Sequence, residues 1–461
     1  MHIRSWLFLL ILSSVALSAQ QAAEWQQIVE RMDRLERENR NLAAEVRSLR
    51  EALATAPHSS ASPTAATNEI AATNDIASEA PAAPIEERVA VQERRVEDLA
   101  MTKVQSSQRL PVTLTGMLLF NAFLNGRANG GQQNPVVAAP TDSVSGNGAS
   151  LSQSVIGLAF QGPHIIGSGQ VSGDIRLDLW GGTTSSLNHL VRLRVATIRA
   201  DWKNQSIIVG QDKPIISPRD PSSLAQVAFS PLTGSGNPWL WQPQARIEQR
   251  FEFGKNTGLR AQVGVYETSE SVASAGANAA SLASGRPALQ GRFEFWRNLG
   301  RGARIEIAPG FHKSQTHVAG TSVGSRLFSV DWMIQPVAKL QWTGMFFTGE
   351  NAAGIGALRQ GFTIFGNGRI QPVGTEGGWT QISYALTRRL TFHAYGGQES
   401  NRPKDLLRGE ITRNLSYAGN LVYRLGSNVL LGVEASQVRT NYLDLITRRA
   451  NHYDLALAYL F

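Results

Sequence analysis

From Val112 to Phe461 the chain alternates apolar and polar residues with a period of two. Successive side chains of a β-strand point to opposite faces, so this period predicts β-strands. About 16 segments carry the alternation, and counts from about 14 to 18 fit because several boundaries are soft. The segments lie at 112–124, 155–161, 171–182, 191–202, 206–211, 245–254, 259–266, 288–296, 304–312, 327–334, 339–348, 379–386, 390–396, 413–423, 429–436 and 452–461.

One face of each segment is apolar and the other carries charges. In VSGDIRLDLWGG (171–182), Ile175 faces one side, whereas Asp174 and Arg176 face the other. A soluble β-sandwich also alternates, but an apolar outer face is suited to lipid, and hydrocarbon accepts only closed sheets. We therefore predict an all-β transmembrane barrel of antiparallel strands over residues 105–461, with both termini on the periplasmic side. Its 357 residues allow about 22 for each strand and its connection.

The final stretch, YDLALAYLF (453–461), places large apolar residues on one face of a strand that ends in an aromatic residue. A soluble edge strand of this composition invites aggregation, whereas a barrel strand turns the same face to lipid. The pattern resembles the C-terminal signal that the barrel assembly machinery recognises in outer-membrane proteins. The residues of this predicted assembly signal are Tyr453, Leu455, Leu457, Tyr459 and Phe461.

Before the barrel, residues 25–53 carry core positions at alternating spacings of 3 and 4. This spacing predicts a coiled-coil oligomerisation segment, which we place at 20–53. Asn39 lies in the seam, where a polar residue selects register and oligomeric state at a cost in stability. The stretch RMDRLE (31–36) fits a pattern of short trimeric coiled coils, so we favour a homotrimer over a dimer. The predicted trimerisation residues are Arg31, Met32, Leu35, Glu36 and Asn39.

Three further segments complete the N-terminal part. Residues 1–19 combine Arg4, a short apolar core and small residues, which predicts a secretory signal peptide rather than a membrane-anchoring helix. Residues 54–83 are rich in Ala, Ser, Thr and Pro and predict a disordered linker. A shorter heptad pattern predicts a second helix at 84–104. We expect the barrel in the outer membrane of a Gram-negative-type bacterium and the coiled coil in the periplasm, where it could contact peptidoglycan.

The amino-acid composition limits the kinds of site that the chain can contain. Charged residues make up 17% of the chain, below the usual ~25%. There are no cysteines, which excludes disulfides, thiolate catalysis and cysteine metal sites. Lys and Arg number 33 against 21 Asp and Glu in residues 105–461, a surplus of +12, whereas residues 1–104 hold 11 against 15. In a narrow channel such a surplus favours anions, unless it lies on outer loops or binds lipopolysaccharide phosphates.

Strand phase assigns a set of arginines to the lumen. Because residues two apart in a strand point the same way, Arg176 can also pair with Asp174 or Asp178. Ion pairs that hold the barrel wall are therefore the alternative role of these arginines. The predicted basic wall of the pore consists of Arg176, Arg192, Arg194, Arg246, Arg250, Arg260 and Arg292.

One long connection, 211–242, contains five prolines and two tryptophans and follows the fifth predicted strand. In general porins the loop at this position folds into the barrel and sets the constriction, and this connection is similar in place and stiffness. An ordinary extracellular loop is the alternative. The candidate constriction residues are Asp212, Lys213, Arg219, Asp220, Trp239 and Trp241.

The order of these segments resembles the DcaP-like trimeric outer-membrane porins. The likeness spans most of the mature chain and includes VRLRVATIRADWKNQSIIVGQDK (191–213), which is similar to their arginine-bearing strand pair before the constriction loop. It implies passive diffusion of small anionic, carboxylate-like solutes through each protomer of a trimer. Outer-membrane lipid and lipopolysaccharide are the expected surroundings, and no cofactor, metal or nucleic acid is expected.

Three other functions fit parts of the sequence. The motif GTSVG (320–324) near His317 has the spacing of a hydrolase nucleophile, but that motif needs a strand-to-helix turn, so we expect no enzyme. A barrel that only anchors a periplasmic tether is a second alternative. A sugar channel is the third alternative, and its stacking path could consist of Trp180, Trp239, Trp241 and Trp296. Trp332 and Trp342 instead fit an aromatic girdle on the outer face.

Overall fold

The structure is a computed structural model. It describes residues 112–181, 189–267, 286–318, 321–358 and 360–461. The predicted signal peptide, coiled coil, linker and second helix lie outside these residues, as do all the predicted trimerisation residues. In the described ranges, no helix is long and apolar enough to cross a bilayer.

Within the described residues we number 19 strands in chain order. They are β1 (Val112–Asn125), β2 (Gly146–Ser150), β3 (Val155–Ile165), β4 (Gly169–Asp178), β5 (Arg192–Asp201), β6 (Gln205–Asp212), β7 (Gln242–Glu252), β8 (Thr257–Tyr266), β9 (Arg286–Gly300), β10 (Ala303–Val318), β11 (Thr321–Val337), β12 (Leu340–Glu350), β13 (Phe362–Ile364), β14 (Ile370–Pro372), β15 (Gly374–Ala385), β16 (Leu390–Asn401), β17 (Ile411–Arg424), β18 (Val429–Tyr442) and β19 (Arg448–Leu460). Single turns of 3-10 helix lie at Ile166–Ser168, Ala353–Ile355 and Pro403–Asp405.

Sixteen of these strands form the wall of a closed antiparallel barrel. Each wall strand pairs with its neighbours along the chain, and β1 closes the cylinder on β19, where Leu118 lies opposite Tyr459. Strands β2 and β3 pair with successive parts of β1, so together they occupy one place in the wall. Strands β13 and β14 form a separate hairpin. The predicted transmembrane-type barrel of about 16 strands is confirmed, and each predicted segment falls on one wall strand.

The two faces of the wall differ as the alternation predicts. In β19, Asp454 and Ala456 are buried on the lumen face, while the alternate side chains are exposed on the outer face. An apolar outer face is suited to lipid, and the closed sheet pairs its backbone groups internally. The exposed set contains every residue of the predicted assembly signal: Tyr453, Leu455, Leu457, Tyr459 and Phe461. Their recognition by assembly machinery stays a prediction.

The two rims of the barrel carry different connections. Strand β1 begins where β19 ends, with Met117 opposite Leu460, so both ends of the barrel chain lie at one rim. Connections at that rim are short, such as 202–204 between β5 and β6. The other rim carries long connections, such as 213–241 between β6 and β7. In outer-membrane barrels the short turns are periplasmic and the long loops extracellular, which orients the barrel.

Two irregularities of the wall change where side chains point. Residues 151–154 separate β2 from β3, which both pair with β1, and they place the buried side chain of Gln153 in the lumen. In β5 the pairing with β4 slips by one residue at Arg194. Such a bulge shifts the phase of the strand, so Arg199 faces the lumen, 3.7 Å from the Glu248 carboxylate. Strict alternation from Arg194 assigns Arg199 to the outer face, so this lumen residue was missed.

Candidate permeation site

The connection 213–241 lies inside the barrel, and we name it the lumen loop. It follows β6, which is the fifth wall strand, and it reaches wall strands on several sides of the lumen. Its Arg219 forms an ion pair with Asp331 of β11, and its Ser223 donates a 2.7 Å hydrogen bond to Glu434 of β18. The predicted constriction residues therefore belong to a segment that crosses the channel, except Asp212, which is the last residue of β6.

The first attachment of the lumen loop is an ionic anchor formed by Arg219, Arg292, Glu294, Glu306 and Asp331. Arg219 pairs with Glu306 and Asp331 and lies 3.7 Å from Glu294. Arg292 is 0% exposed and donates to Asp331 at 2.7 and 2.9 Å, and it pairs with Glu294 at 2.8 Å. Shared carboxylates offset both guanidinium charges, which a buried site requires.

The second attachment is an amide anchor centred on Gln153. Its Oε1 accepts hydrogen bonds from the backbone N–H groups of Val227 (2.7 Å) and Ala228 (3.1 Å). Its Nε2 donates to the carbonyl of Ala225 at 2.7 Å. One wall side chain thus satisfies three backbone groups of the lumen loop, which buried backbone requires.

Asparagines and a glutamine of the wall extend the amide anchor. Asn121 donates to the carbonyl of Leu224 at 2.9 Å, and Asn420 donates to the carbonyl of Ser222 at 2.8 Å. The N–H of Ser222 donates to the Oε1 of Gln381 at 2.6 Å. The middle of the lumen loop is therefore tied to strands β1, β15 and β17.

Three predicted wall arginines form an arginine row at the long-loop end of β4 and β5, namely Arg176, Arg192 and Arg194. Arg192 pairs with Asp178 at 2.6 Å, and Arg194 lies 3.7 Å from the same buried carboxylate. Arg176 is 57% exposed and pairs with Asp174 at 2.7 Å. Three guanidinium groups share two carboxylates, so the row keeps one net positive charge.

Aromatic rings of the lumen loop continue from the arginine row. The ring of Trp241 lies under the guanidinium groups of Arg192 (5.3 Å) and Arg194 (4.7 Å), within cation–π range. Neighbouring ring centroids then lie 4.9, 6.5 and 5.5 Å apart along the series Trp241, Trp239, Phe229 and Trp180. Trp296 lies apart from this series, 5.3 Å from the guanidinium of Arg304. On the outer face the ring centroids of Trp332 and Trp342 lie 5.7 Å apart.

The remaining predicted wall arginines also lie on the lumen face, in β7, β8 and β9. Arg246 donates to Glu248 at 3.2 Å, and Arg260 pairs with Glu294 at 2.7 Å. Arg292 belongs to the ionic anchor. Among the ion pairs of the described residues, none involves Arg250, which donates to a backbone carbonyl of the β5–β6 turn at 3.2 Å. Carboxylates thus offset much of the wall charge, and the arginine row carries a local surplus.

Lys213 begins the lumen loop and forms an ion pair with Asp220 of the same loop. Burial of its ammonium and the nearby Arg194 charge lower the pKa of Lys213 to about 7, although the Asp212 carboxylate opposes the shift. Because a lysine is charged below its pKa, this positive charge is present below pH 7 and is lost as the pH rises above it.

A cavity of about 370 Å³ lies between the lumen loop and Arg194 of the arginine row. Its size is that of a small-molecule site. The guanidinium of Arg194 and the carboxylate of Asp220 line it, together with serine hydroxyls and the apolar side chains of Leu224, Val227 and Phe229.

Two other connections at the long-loop rim contact the lumen loop or its anchors. Asn414 of β17 donates to the carbonyl of Val136 at 2.8 Å and to that of Gly234 at 2.9 Å. The N–H of Leu240 donates to the carbonyl of Ile355 at 3.2 Å. Segments of three connections therefore meet inside the long-loop rim.

The hydrolase-like motif lies in a different setting from a nucleophile elbow. Ser322 is part of β11, which continues as a strand to Val337. A strand-to-helix turn is what exposes the serine of that motif, so Ser322 has no such geometry.

Solved structures share this barrel. The outer membrane channel DcaP of Acinetobacter baumannii matches with a TM-score of 0.60 and 18% identity, over 76% of this chain and 97% of that chain. The chain has the porin fold. An anion-selective porin from Comamonas acidovorans matches with a TM-score of 0.53 and 10% identity, over 76% of this chain and 99% of that chain. No family model matches the sequence, and no curated protein does so. The resemblance to DcaP-like porins is confirmed at the level of the fold.

Proposed function

We propose that this porin-fold protein is a passive outer-membrane channel for small hydrophilic anions with carboxylate-like chemistry. The observation that carries the proposal is the arginine row, whose Arg194 lines the cavity beside the lumen loop. Guanidinium groups bind carboxylates in a two-point geometry that a lysine does not offer. No cofactor or metal enters this mechanism, because the solute moves down its own gradient.

The charge pattern supports weak rather than absolute anion selectivity. The row has one net positive charge, because Asp174 and Asp178 offset the other two guanidinium groups. A low-dielectric wall strengthens the effect of that charge on a solute inside the channel. An anion can exchange contacts with successive arginines while each keeps a resident carboxylate, so it is held briefly and released.

A sugar-type channel is the second candidate, and the contacting series from Trp241 to Trp180 favours it. Apolar ring faces of a sugar stack on aromatic side chains without any need for charge. The structure joins these rings directly to the arginine row through Trp241. The same surface could therefore assist solutes that combine a ring with a carboxylate, so the two candidates differ mainly in whether charge is required.

We propose in addition that the barrel works as a homotrimer whose coiled coil lies in the periplasm. The support comes from the heptad spacing over 25–53 and the RMDRLE stretch. Contact of the coiled coil with peptidoglycan, and a tethering role alongside conduction, belong to the same proposal.

Solute uptake by proteoliposomes tests the proposed function. Swelling rates are compared for a small carboxylate and a neutral sugar of similar size, with the wild-type protein and with R192Q/R194Q. We expect the double variant to lose about tenfold in carboxylate rate, equivalent to roughly 1.4 kcal/mol, and to keep its sugar rate.

The matched control is R326Q, because Arg326 lies on the outer face, paired with Glu350 at 2.7 Å. That variant removes one arginine charge without touching the lumen and should match the wild type. Equal carboxylate rates for R192Q/R194Q and the wild type would reject the anion proposal. A fall in the sugar rate alone would favour the sugar channel.

A further inference from the structure

The outer face of β17–β19 changes character towards the long-loop rim. Leu455 and Leu457 belong to its apolar part, and Tyr453 lies at the edge of that part. In the direction of the rim, the outward positions of β19 become Asn451 and then Arg449. Arg439 of β18 and Arg413 of β17 face outward at the same end of their strands. We name Arg413, Arg439 and Arg449 the outer arginine cluster.

The members of the outer arginine cluster are close neighbours of like charge. Arg439 lies directly opposite Arg449 in the antiparallel pairing of β18 and β19, an arrangement that is unfavourable without a counter-charge. Arg413 lies opposite Asn441, two positions from Arg439. Across the part of the chain that the structure describes, the ion pairs include none of the three.

Neutral groups hold Arg439 in place without reducing its charge. Its Nε donates to the Oε1 of Gln437 at 2.7 Å, and its Nη2 donates to the hydroxyl of Tyr417 at 3.2 Å. Gln437 in turn donates to the Oδ1 of Asn451 at 2.7 Å. The guanidinium is therefore positioned on the outer surface with an intact charge and free donors.

The depth of the cluster indicates what could neutralise it. Tyr417 and Tyr453 stand on the outer face between the apolar band and the arginines, and tyrosine belts mark the level where lipid headgroups begin. The arginines therefore lie at headgroup level on the extracellular side. Phosphate is the headgroup anion whose geometry matches several convergent guanidinium groups.

We propose that the outer arginine cluster binds the phosphate groups of an outer-leaflet lipid, specifically the diphosphorylated headgroup of lipopolysaccharide. The like-charged pair supplies the attraction, Arg413 widens the site, and Tyr417 packs beside the sugar rings or upper acyl chains. Arg326, an exposed arginine elsewhere on the outer face, lacks this property because Glu350 neutralises it. The cluster thus differs from Arg326 in having no protein counter-ion in the described residues, and it differs from a lone arginine in bringing three like charges together.

Titration of fluorescent diphosphoryl lipid A into the purified full-length protein in detergent tests the proposal. Each Arg→Gln change should weaken binding about fivefold, and R413Q/R439Q/R449Q about a hundredfold. R326Q, the matched control, should bind as the wild type does. The wild-type protein should bind dephosphorylated lipid A far more weakly than the diphosphorylated form.

Several outcomes would overturn the proposal. Unchanged affinity in the triple variant excludes the cluster as the site, and equal binding of dephosphorylated lipid A excludes phosphate recognition. A triple variant that dissociates into smaller assemblies while still binding lipid A would assign this face to subunit contacts instead. If the triple variant does not fold, the R449Q variant and the comparison of phosphorylated with dephosphorylated lipid on wild-type protein still decide the question.

Discussion

The lumen loop is held by two anchors that differ in chemistry. On one side, Arg219 joins a buried cluster in which Arg292 and Asp331 are already paired. On the other side, Gln153 satisfies backbone groups of the loop with a neutral amide. Both attachments bridge the wall and the loop. They differ in what remains when one partner is removed.

An ionic anchor and an amide anchor fail with different consequences. Removing one partner of a buried ion cluster leaves an uncompensated charge, which costs about 3–5 kcal/mol. Removing a neutral hydrogen-bonding side chain leaves unsatisfied dipoles, which cost about 1–3 kcal/mol. The ionic anchor should therefore govern the stability of the barrel, and the amide anchor should mainly govern the position of the loop.

The largest effect is expected for D331N. Asp331 accepts from both Arg219 and the fully buried Arg292, so its neutralisation leaves two guanidinium groups with too few carboxylates. We expect a loss of about 3–5 kcal/mol in the free energy of unfolding, measured by guanidinium titration of the refolded protein. The matched control is D174N, because Asp174 pairs with the exposed Arg176, and it should lose at most about 1 kcal/mol. Similar losses in both variants would contradict a special role for the ionic anchor.

R219Q should have the next largest effect, because it detaches the loop. Arg292 still offsets Asp331 and Glu294, and Arg304 still offsets Glu306. A loss of about 2 kcal/mol is expected from the charge-assisted hydrogen bonds that disappear. Single-channel recording should show larger conductance and more current noise, since the first part of the loop is released. R250Q is the control, because Arg250 faces the lumen and donates to the β5–β6 turn rather than to the lumen loop. Quiet, wild-type currents from R219Q would show that Arg219 does not hold the loop.

Q153A should act mainly on the loop. Three backbone groups lose their partner, and a loss of about 1–2 kcal/mol is expected because water can replace part of the interaction. Current noise should rise less than in R219Q. Gln398 supplies the control, since within the described residues its side chain donates only to Ser400, at 3.2 Å. Q398A should therefore behave as the wild type. More noise in Q153A than in R219Q would reverse the order of the two anchors.

The smallest effect concerns pH and the loop's internal ion pair between Lys213 and Asp220. Since the pKa of Lys213 lies at about 7, the lumen loses one positive charge between pH 6 and pH 8. The ratio of anion to cation permeability should fall modestly over that range. K213R keeps its charge throughout and should reduce this pH dependence. A pH dependence that is equally large in K213R would assign it to another group.

The sequence was sufficient to predict the strands of the barrel wall but not the two anchors of the lumen loop. Alternation located all 16 wall strands because lipid imposes a strict outer face, as in β19, where Tyr453, Leu455 and Leu457 point outward. The same alternation placed the seven predicted wall arginines on the lumen side. The sequence did not predict that Arg199 faces the lumen, because the bulge at Arg194 shifts the phase of its strand. No sequence pattern reliably predicts such a bulge.

The anchors depend on contacts between residues far apart in the chain. Asp331 and Arg219 are separated by more than a hundred positions, and only closure of the barrel brings them together. Gln153 lies in a polar stretch, SLSQS (150–154), that interrupts the alternation. That interruption was the one available signal, although it did not reveal which loop Gln153 would hold.

The sign of the reversal potential in a salt gradient tests the central claim most directly. The refolded protein is placed in a planar bilayer with a tenfold gradient of potassium chloride. The arginine row predicts a reversal potential whose sign shows that chloride is more permeant than potassium. This potential should be smaller in R192Q/R194Q and unchanged in R326Q. A potential set by potassium in the wild-type protein would contradict it and would show that the carboxylates beside the row control the channel.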